Sequence, residues 1–293
     1  MFGLFLSQAL PLIALDGLLA LGYVIVYRAT GVLNFSMGGF LLIGAEVGFA
    51  LGAAGVTALV GYLVVSVTGL VLGAVFYMAF LRRLDGQPSW VPTLVTIAIG
   101  FYVIPSVVQY IWGTQVQAYS GSLGFANTLV ILGNGVDMTT VEIGLLAVFL
   151  IAQLGFGIVD RFTRLGIRMR ATARDSQLAA YRGIRVGAIL ALAWGLSTAL
   201  AMFVGFASAT DGGQLYPAAG TMAISAFPAA MLGGLDSVAG VFVGAVVVGV
   251  AVAAISTFGN PNLADVAPYA VLLAVLLVRP WGLFGRPELV DRV

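Results

Sequence analysis

Three carboxylates interrupt otherwise apolar stretches of this chain: Asp16, Glu46 and Asp265. An ionised carboxylate at the middle of a bilayer costs on the order of 3 kcal/mol, so such groups are candidates for a solute or ion path. The alternative is that each is protonated, or accepts hydrogen bonds from neighbouring helices, and orders a helix bundle. Both readings stay open for Asp16, which sits between Leu15 and Gly17, and for Glu46; Asp265 falls at a loop edge and needs no special role. Two glycine-rich stretches, residues 31–39 (GVLNFSMGG) and 233–240 (GGLDSVAG), add the small polar groups Asn34, Ser36, Asp236 and Ser237. Broken helix at membrane depth is tolerated only where protein or a water-filled cavity surrounds it, and paired interruptions in the two halves of a chain point to a transport path. Equally, the stretches could be tight cytoplasmic turns whose glycines, Gly233 and Gly234 among them, let helices pack closely. Phe35 and Met37 could be gate or ordinary core. Thr96 and Gln109 could bind a small polar solute or simply pack.

Much chemistry is excluded outright. The chain has no Cys and no His, and its thirteen basic residues are all Arg. Zinc sites of Cys or His, Ser-His-Asp and Cys-His nucleophiles and Schiff-base lysines are therefore impossible. So is the Gly-Lys-Ser/Thr phosphate loop of ATPases. We expect no catalytic residue, no metal and no cofactor in this chain, and no enzyme activity of its own. A net charge of +1 argues against a nucleic-acid partner.

The elements that must position these groups are membrane helices. Of 293 residues, 61% are hydrophobic and 9% charged, with a mean hydropathy of +1.08; soluble domains run near 45–50% apolar and about 25% charged. A span needs about 20 apolar residues. Apolar runs extend from the start to residue 27, then over 38–52, 56–81, 91–112, 139–159, 186–210, 221–235, 238–258 and 266–278. The second, seventh and ninth are short for straight crossings. We expect one all-α polytopic domain over 1–293 with about eight to nine transmembrane or re-entrant helices. Nine alternating passes with the N-terminus outside put every arginine, from Arg28 to Arg292, on the cytoplasmic side together with the C-terminus. An excess there is all the positive-inside rule asks. The segments 113–138, 211–220 and 259–265, expected outside, contain no arginine.

Residues 160–185 (DRFTRLGIRMRATARDSQLAAYRGIR) differ in kind, with seven of the arginines and few large apolar groups. From Met169 to Tyr181 helix formers dominate, and Gly183 stands where a C-terminal cap would fall. A short Ala-rich helix offers a flat face for another protein; a solvated loop held to anionic headgroups is the other reading.

This segment resembles the cytoplasmic loop of permease subunits of branched-chain amino-acid ABC importers, R-A-x-x-x-D-x-x-x-A-x-x-x-G-I, here Arg170-Ala171, Asp175, Ala179 and Gly183-Ile184. The family's G-V-I-N-F-A-H-G-E-F is similar to Gly31-Val32-Leu33-Asn34-Phe35-Ser36-Met37-Gly38-Gly39-Phe40. Its A-x-L-G-G-x-G-S-x-x-G-A-x-x-G resembles Ala230-Met231-Leu232-Gly233-Gly234-Leu235-Asp236-Ser237-Val238-Ala239-Gly240-Val241-Phe242-Val243-Gly244. The three motifs lie in family order between residues 31 and 244, and the first looks like the H-type permease of the pair. Met37, Gly39 and Asp236 depart from the pattern, where the family has His, Glu and Gly.

The resemblance implies a divided mechanism in a bacterial inner membrane. An extracytoplasmic binding protein delivers a small polar solute to a path between two permeases, this chain and an M-type homologue or a second copy. Two ATPase subunits, carrying ATP and Mg, dock on cytoplasmic coupling helices. Arg170, Ala171, Asp175, Ala179, Arg182, Gly183 and Ile184 would form this chain's coupling element. Asp16, Asn34, Phe35, Ser36, Met37, Glu46, Gly233, Gly234, Asp236 and Ser237 would line or gate the path. Branched-chain or related amino acids come first as solute, with urea, amides and aromatic or other organic acids as alternatives. An ion-coupled carrier or channel acting alone, with Asp16 and Glu46 as its working groups, is the reading from another class.

Overall fold

A computed structural model of the chain describes residues 2–115, 128–131, 135–211, 220 and 222–285. Arg286 and Arg292, and most of the segments 113–138 and 211–220 expected outside the membrane, lie beyond the described residues.

The long uncharged runs form helices because nothing in a bilayer but the chain itself can satisfy the backbone. α1 spans Phe2–Thr30, α2 Met37–Ala53 and α3 Ala58–Phe76, which runs on through a π turn at Tyr77–Leu81 and a 3-10 turn at Arg82–Leu84. α4 (Trp90–Ala98) and α5 (Ile104–Trp112) are one span joined by a π turn at Ile99–Val103. Two short antiparallel strands, β1 (Leu129–Ile131) and β2 (Asp137–Thr139), precede α6 (Thr140–Phe162). α7 (Arg164–Arg174) and α8 (Ser176–Tyr181) follow. Then come α9 (Val186–Thr210), α10 (Met222–Gly233), α11 (Val238–Phe258) and α12 (Ala267–Val278).

Among the described residues seven helices are long and apolar enough to cross a membrane, and α2 and α10 are shorter apolar helices. This is the expected all-α polytopic architecture, with two differences. The ninth run is long enough after all, because a 3-10 turn at Pro261–Val266 leads into α12 and completes an 18-residue span. The expected loop 113–138 contains the strand pair, whose three-residue length gives too little alternation for a sequence pattern to reveal.

α1 and α9 form the buried centre, and the spans built on α3, α4–α5, α6 and α12 leave most of their surface uncovered by the described residues. Small residues set the central contacts. A methyl group at Gly44 would collide with the Met202 backbone and one at Gly205 with that of Leu41, so α2 and α9 approach backbone to backbone. Gly69 and Gly73 do the same for α3 against α9. The strand pair donates from the Asp137 amide to Ser7 Oγ, 2.9 Å away, which marks one end of the bundle. At that end Thr139 caps α6 with Glu142 in a reciprocal capping box, and its hydroxyl donates to Asp211 beyond α9 at 2.6 Å. At the other end Arg28, closing α1, pairs with Asp160 of α6 at 3.1 Å.

Candidate functional site

Past Thr30 the chain leaves helix, and Gly31 takes a positive φ of 70°. It then climbs back into the bundle as a non-helical segment that turns at Phe35–Ser36 before α2 begins. Met37 is fully buried against Gly22 of α1 and Ser197 near the middle of α9. α2 therefore starts at half depth, and residues 31–36 are a true mid-bundle break. Apart from the Gly31 amide and the Ser36 carbonyl, which join the ends of α1 and α2, the backbone groups there have no helical partner and must find others. The Phe35 amide donates to Thr96 Oγ1 at 3.2 Å, and the Thr96 hydroxyl reaches the Leu33 carbonyl at 3.0 Å. Asn34, fully buried, donates through Nδ2 to Ser197 Oγ at 3.0 Å. Its Oδ1 accepts from the Ser36 amide at 3.2 Å and the Ser36 hydroxyl at 2.5 Å. Asn34 and Ser36 are thus occupied in holding the break. α5 closes over it: the Cβ of Ile104 would stand 2.7 Å from a methyl at Gly39. No room remains for the Glu of the family pattern.

Residues 234–237 are a tight turn between α10 and α11. Gly234 has φ 99°, and Gly233 and Gly240 touch backbone to backbone, so neither tolerates a Cβ. Ser237 caps α11, accepting from the Gly240 amide at 3.0 Å, while Asp236 is exposed. Gln153 of α6 donates to the Val238 carbonyl and ties the turn to the bundle. The Leu232 and Gly233 carbonyls, left over at the end of α10, accept from the amides of Leu283 (2.8 Å) and Phe284 (3.1 Å). The two glycine-rich stretches therefore differ: the first is an interruption at depth, the second a turn.

The start of α10 nevertheless meets the first break. Gly220 lies against Gly38 at the start of α2, and three rings close around the junction. Phe35 and Phe227 stand 5.2 Å apart, Tyr23 and Phe227 5.5 Å, and Tyr23 and Phe35 5.9 Å, centroid to centroid. The Tyr23 hydroxyl donates to the Ala223 carbonyl at 3.0 Å, fixing its ring. Phe35 and Phe227 are half-buried beside fully buried neighbours, so each turns an edge to space that the described residues do not fill.

Asp16 is buried and has no hydrogen bond or ion pair among the described residues; it lies close enough to Tyr269 of α12 to interact with it electrostatically. Glu46 is half-buried with Oε2 unpartnered among the described residues. The two carboxylates are not joined to each other or to the Asn34 network. Gln109 is exposed on α5.

At the arginine-bearing end the expected single helix over 169–181 is two. Asp175 is extended (φ −158°, ψ 102°), and its carboxylate caps α8 by accepting from the Leu178 amide at 2.8 Å. An Asp followed by a helix-forming run is an N-cap signal, and here it outweighs continuity of helix. Gly183 has φ 80°, with its amide on the Ala180 carbonyl and that of Ile184 on Ala179, a Schellman cap. Arg170 bonds the Asp160 carbonyl and carboxylate, pinning α7 to the end of α6. Ala179 is buried, Ala171 and Ile184 half-buried and Arg182 exposed. The outward face instead carries Leu178 and Tyr181, 55% and 87% exposed. Large apolar groups on an otherwise charged end mark a contact surface.

Sequence reasoning found Asn34, Ser36 and Phe35 and missed their partners Ser197, Tyr23 and Phe227. Only the fold brings together residues so far apart in the chain. Leu178 and Tyr181 could have been found, because they lie three apart on one helix face.

The protein family described as branched-chain amino acid transport system / permease component matches residues 5–276. The chain is 31% identical to the high-affinity branched-chain amino acid transport system permease protein LivH of Escherichia coli K12, covering 94% of this chain and 92% of that protein. It is 29% identical to the permease protein BraD of Pseudomonas aeruginosa, over 94% and 93%. It is also 29% identical to the probable permease LivH of Methanocaldococcus jannaschii, over 92% and 88%. No solved structure matches the chain.

Proposed function

The chain belongs to the family of permease components of branched-chain amino acid transport systems, and on that premise we propose that it forms one half of the membrane path of an ATP-driven importer in a bacterial inner membrane. The solute is a branched-chain or related amino acid. The N-terminus lies outside and the arginine-bearing end inside, as the positive-inside rule requires. A second permease, an M-type homologue or another copy, completes the path, and a binding protein outside delivers the solute. Energy comes from two separate ATPase subunits, since this chain has no lysine for a phosphate loop.

One observation carries the reading: the break at 31–36 and the start of α10 meet at half depth, with Phe35 against Phe227 at 5.2 Å. A path that opens alternately to each side needs a packed element with two discrete arrangements. The break supplies it, being held by a few side-chain hydrogen bonds in place of a helical ladder. Phe35 and Phe227 form the constriction, and Asn34, Ser36 and Met37 fix the segment behind it. Gly233, Gly234, Asp236 and Ser237 set the α10–α11 turn that carries Phe227. Exposed Leu178, Tyr181 and Arg182, on a helix bounded by Asp175 and Gly183, meet the ATPase; Arg170, Ala171, Ala179 and Ile184 stiffen that helix from behind.

The test is gentle extraction of the tagged chain from its host, mass spectrometry of what co-purifies, and uptake of labelled leucine into liposomes. The reading expects a second permease, phosphate-loop ATPases and uptake that needs ATP and survives collapse of the proton gradient. Uptake by the chain alone, dependent on the gradient, would instead make Asp16 and Glu46 the working groups of a secondary carrier. Competition by urea, amides or organic acids, with leucine inert, would change the solute and keep the architecture.

A further inference from the structure

A cleft of about 660 Å³ opens at the arginine-bearing end between the loop joining α3 to α4 and the α7–α8 pair. Asp85 lines one wall and Arg174 the other, with Trp194, Leu190 and Val186 as apolar lining and Thr172 beside them. Neither Asp85 nor Arg174 is in an ion pair among the described residues, where the pairs formed are those of Arg28 and Arg170 with Asp160. The Tyr77 hydroxyl donates to Asp85 Oδ2 at 2.7 Å, and no hydrogen bond reaches Oδ1 among the described residues. Thr172 is 4% exposed, and its hydroxyl has no hydrogen-bond partner among the described residues. Burial pushes the Asp85 carboxyl up, with the Tyr77 hydrogen bond and the Arg82 charge acting against it. An exposed carboxylate and an exposed guanidinium across a cleft, each in no ion pair among the described residues, and an apolar floor between them are complementary to one class of molecule.

We propose that this cleft is a second binding site, facing the cytoplasm, for a free α-amino acid with an apolar side chain, and that its occupancy slows import. The ammonium group meets Asp85, the carboxylate meets Arg174 and Thr172, and the side chain lies on Trp194 and Leu190. Because the cleft has α7–α8 as one wall and the membrane helices as the other, a ligand in it ties the two together. It favours whichever arrangement of the helix pair closes the cleft and disfavours the alternation that transport requires. Imported solute accumulating inside thereby restrains its own entry. The braking role rests on the reading that α7–α8 meets the ATPase subunits; the binding site itself does not.

The test uses the purified permease–ATPase complex without binding protein, with labelled leucine in equilibrium dialysis on the ATPase-bearing complex. Asp85→Asn and, separately, Thr172→Val weaken binding at least tenfold, whereas Asn34→Ala, placed at the membrane break, leaves it within twofold. In liposomes, leucine on the ATPase side lowers ATP-driven uptake by the unmodified complex, and Asp85→Asn relieves that inhibition while uptake into leucine-free vesicles is unchanged. Equal binding by the unmodified and Asp85→Asn complexes, or loss of binding in Asn34→Ala, overturns the proposal. The two readings fail separately: a complex that imports leucine but binds none at Asp85 sinks the cleft site alone. Asp85-dependent binding without import sinks the transport reading and leaves the site standing.

Discussion

Asn34 is the side chain on which the half-depth break depends. One amide holds Ser197 of α9 with its donor and Ser36 with its acceptor, so a single group closes two backbone directions at once. Leaving buried partners unsatisfied costs about 1–3 kcal/mol, while the apolar packing of α1, α2 and α9 is untouched. Asn34→Ala is therefore expected to lower ATP-driven uptake at least tenfold while detergent-extracted protein keeps its amount and its elution profile. Uptake per folded complex equal to that of the unmodified protein would return Asn34 to a packing role. That Asn34 mattered was legible in the sequence, since a carboxamide among glycines in an apolar chain asks for a partner. Which partner it takes was not legible, because Ser197 is 163 positions away and reads like any small residue of a membrane helix. The same limit applies to Met37 and Gly39. They look like lost polar groups in sequence, whereas in the bundle one fills the space beside Gly22 and the other admits Ile104.

Between elements, glycine is what lets short helices sit deep. α2 crosses α9 with Gly44 on the Met202 backbone and Gly205 on that of Leu41. Two helices in lipid gain little from burying apolar surface against each other, so close van der Waals contact must do the holding. Forcing a large side chain into such a contact costs about 1–3 kcal/mol or more, because backbone cannot move aside as a side chain can. Gly44→Leu is expected to reduce the yield of folded complex and its thermal midpoint in detergent, with Gly187→Leu, which meets nothing within 4 Å, close to unmodified protein. Equal loss in both would mean that the α2–α9 contact has no special part in stability. The number and type of elements were readable from apolar run length alone. The division of 160–185 was not, although Asp175 is a recognisable cap, because alanines on both sides of it favour one continuous helix.

At the scale of the whole molecule, charge is segregated by end. Arg28, Arg170 and the loops bearing Arg82 and Arg83 gather where Asp160 and the cleft lie, as the arginine count in the sequence implied. Asp160 binds Arg28 and Arg170 together and so ties α1, α6 and α7 at one point. Its side chain is 14% exposed and that of Arg28 16%, between the exposed pair worth roughly 1 kcal/mol or less and the buried one whose breakage costs roughly 3–5 kcal/mol. Asp160→Asn is expected to lower the thermal midpoint of the complex and to cut uptake more than ATP hydrolysis, since α7 would no longer move as one body with α6. Uptake and hydrolysis falling in proportion would point to lost protein in place of lost coupling. The far end of the chain enters this assembly in another way. The last carbonyls of α10, at Leu232 and Gly233, are met by amides of Leu283 and Phe284. During synthesis α10 thus reaches the bilayer well before those amides have left the ribosome. Its end must be hydrated or borrowed by another protein until α11 and α12 are in place, so the second half of the bundle closes late and as a unit, sealed by the segment made last among the described residues.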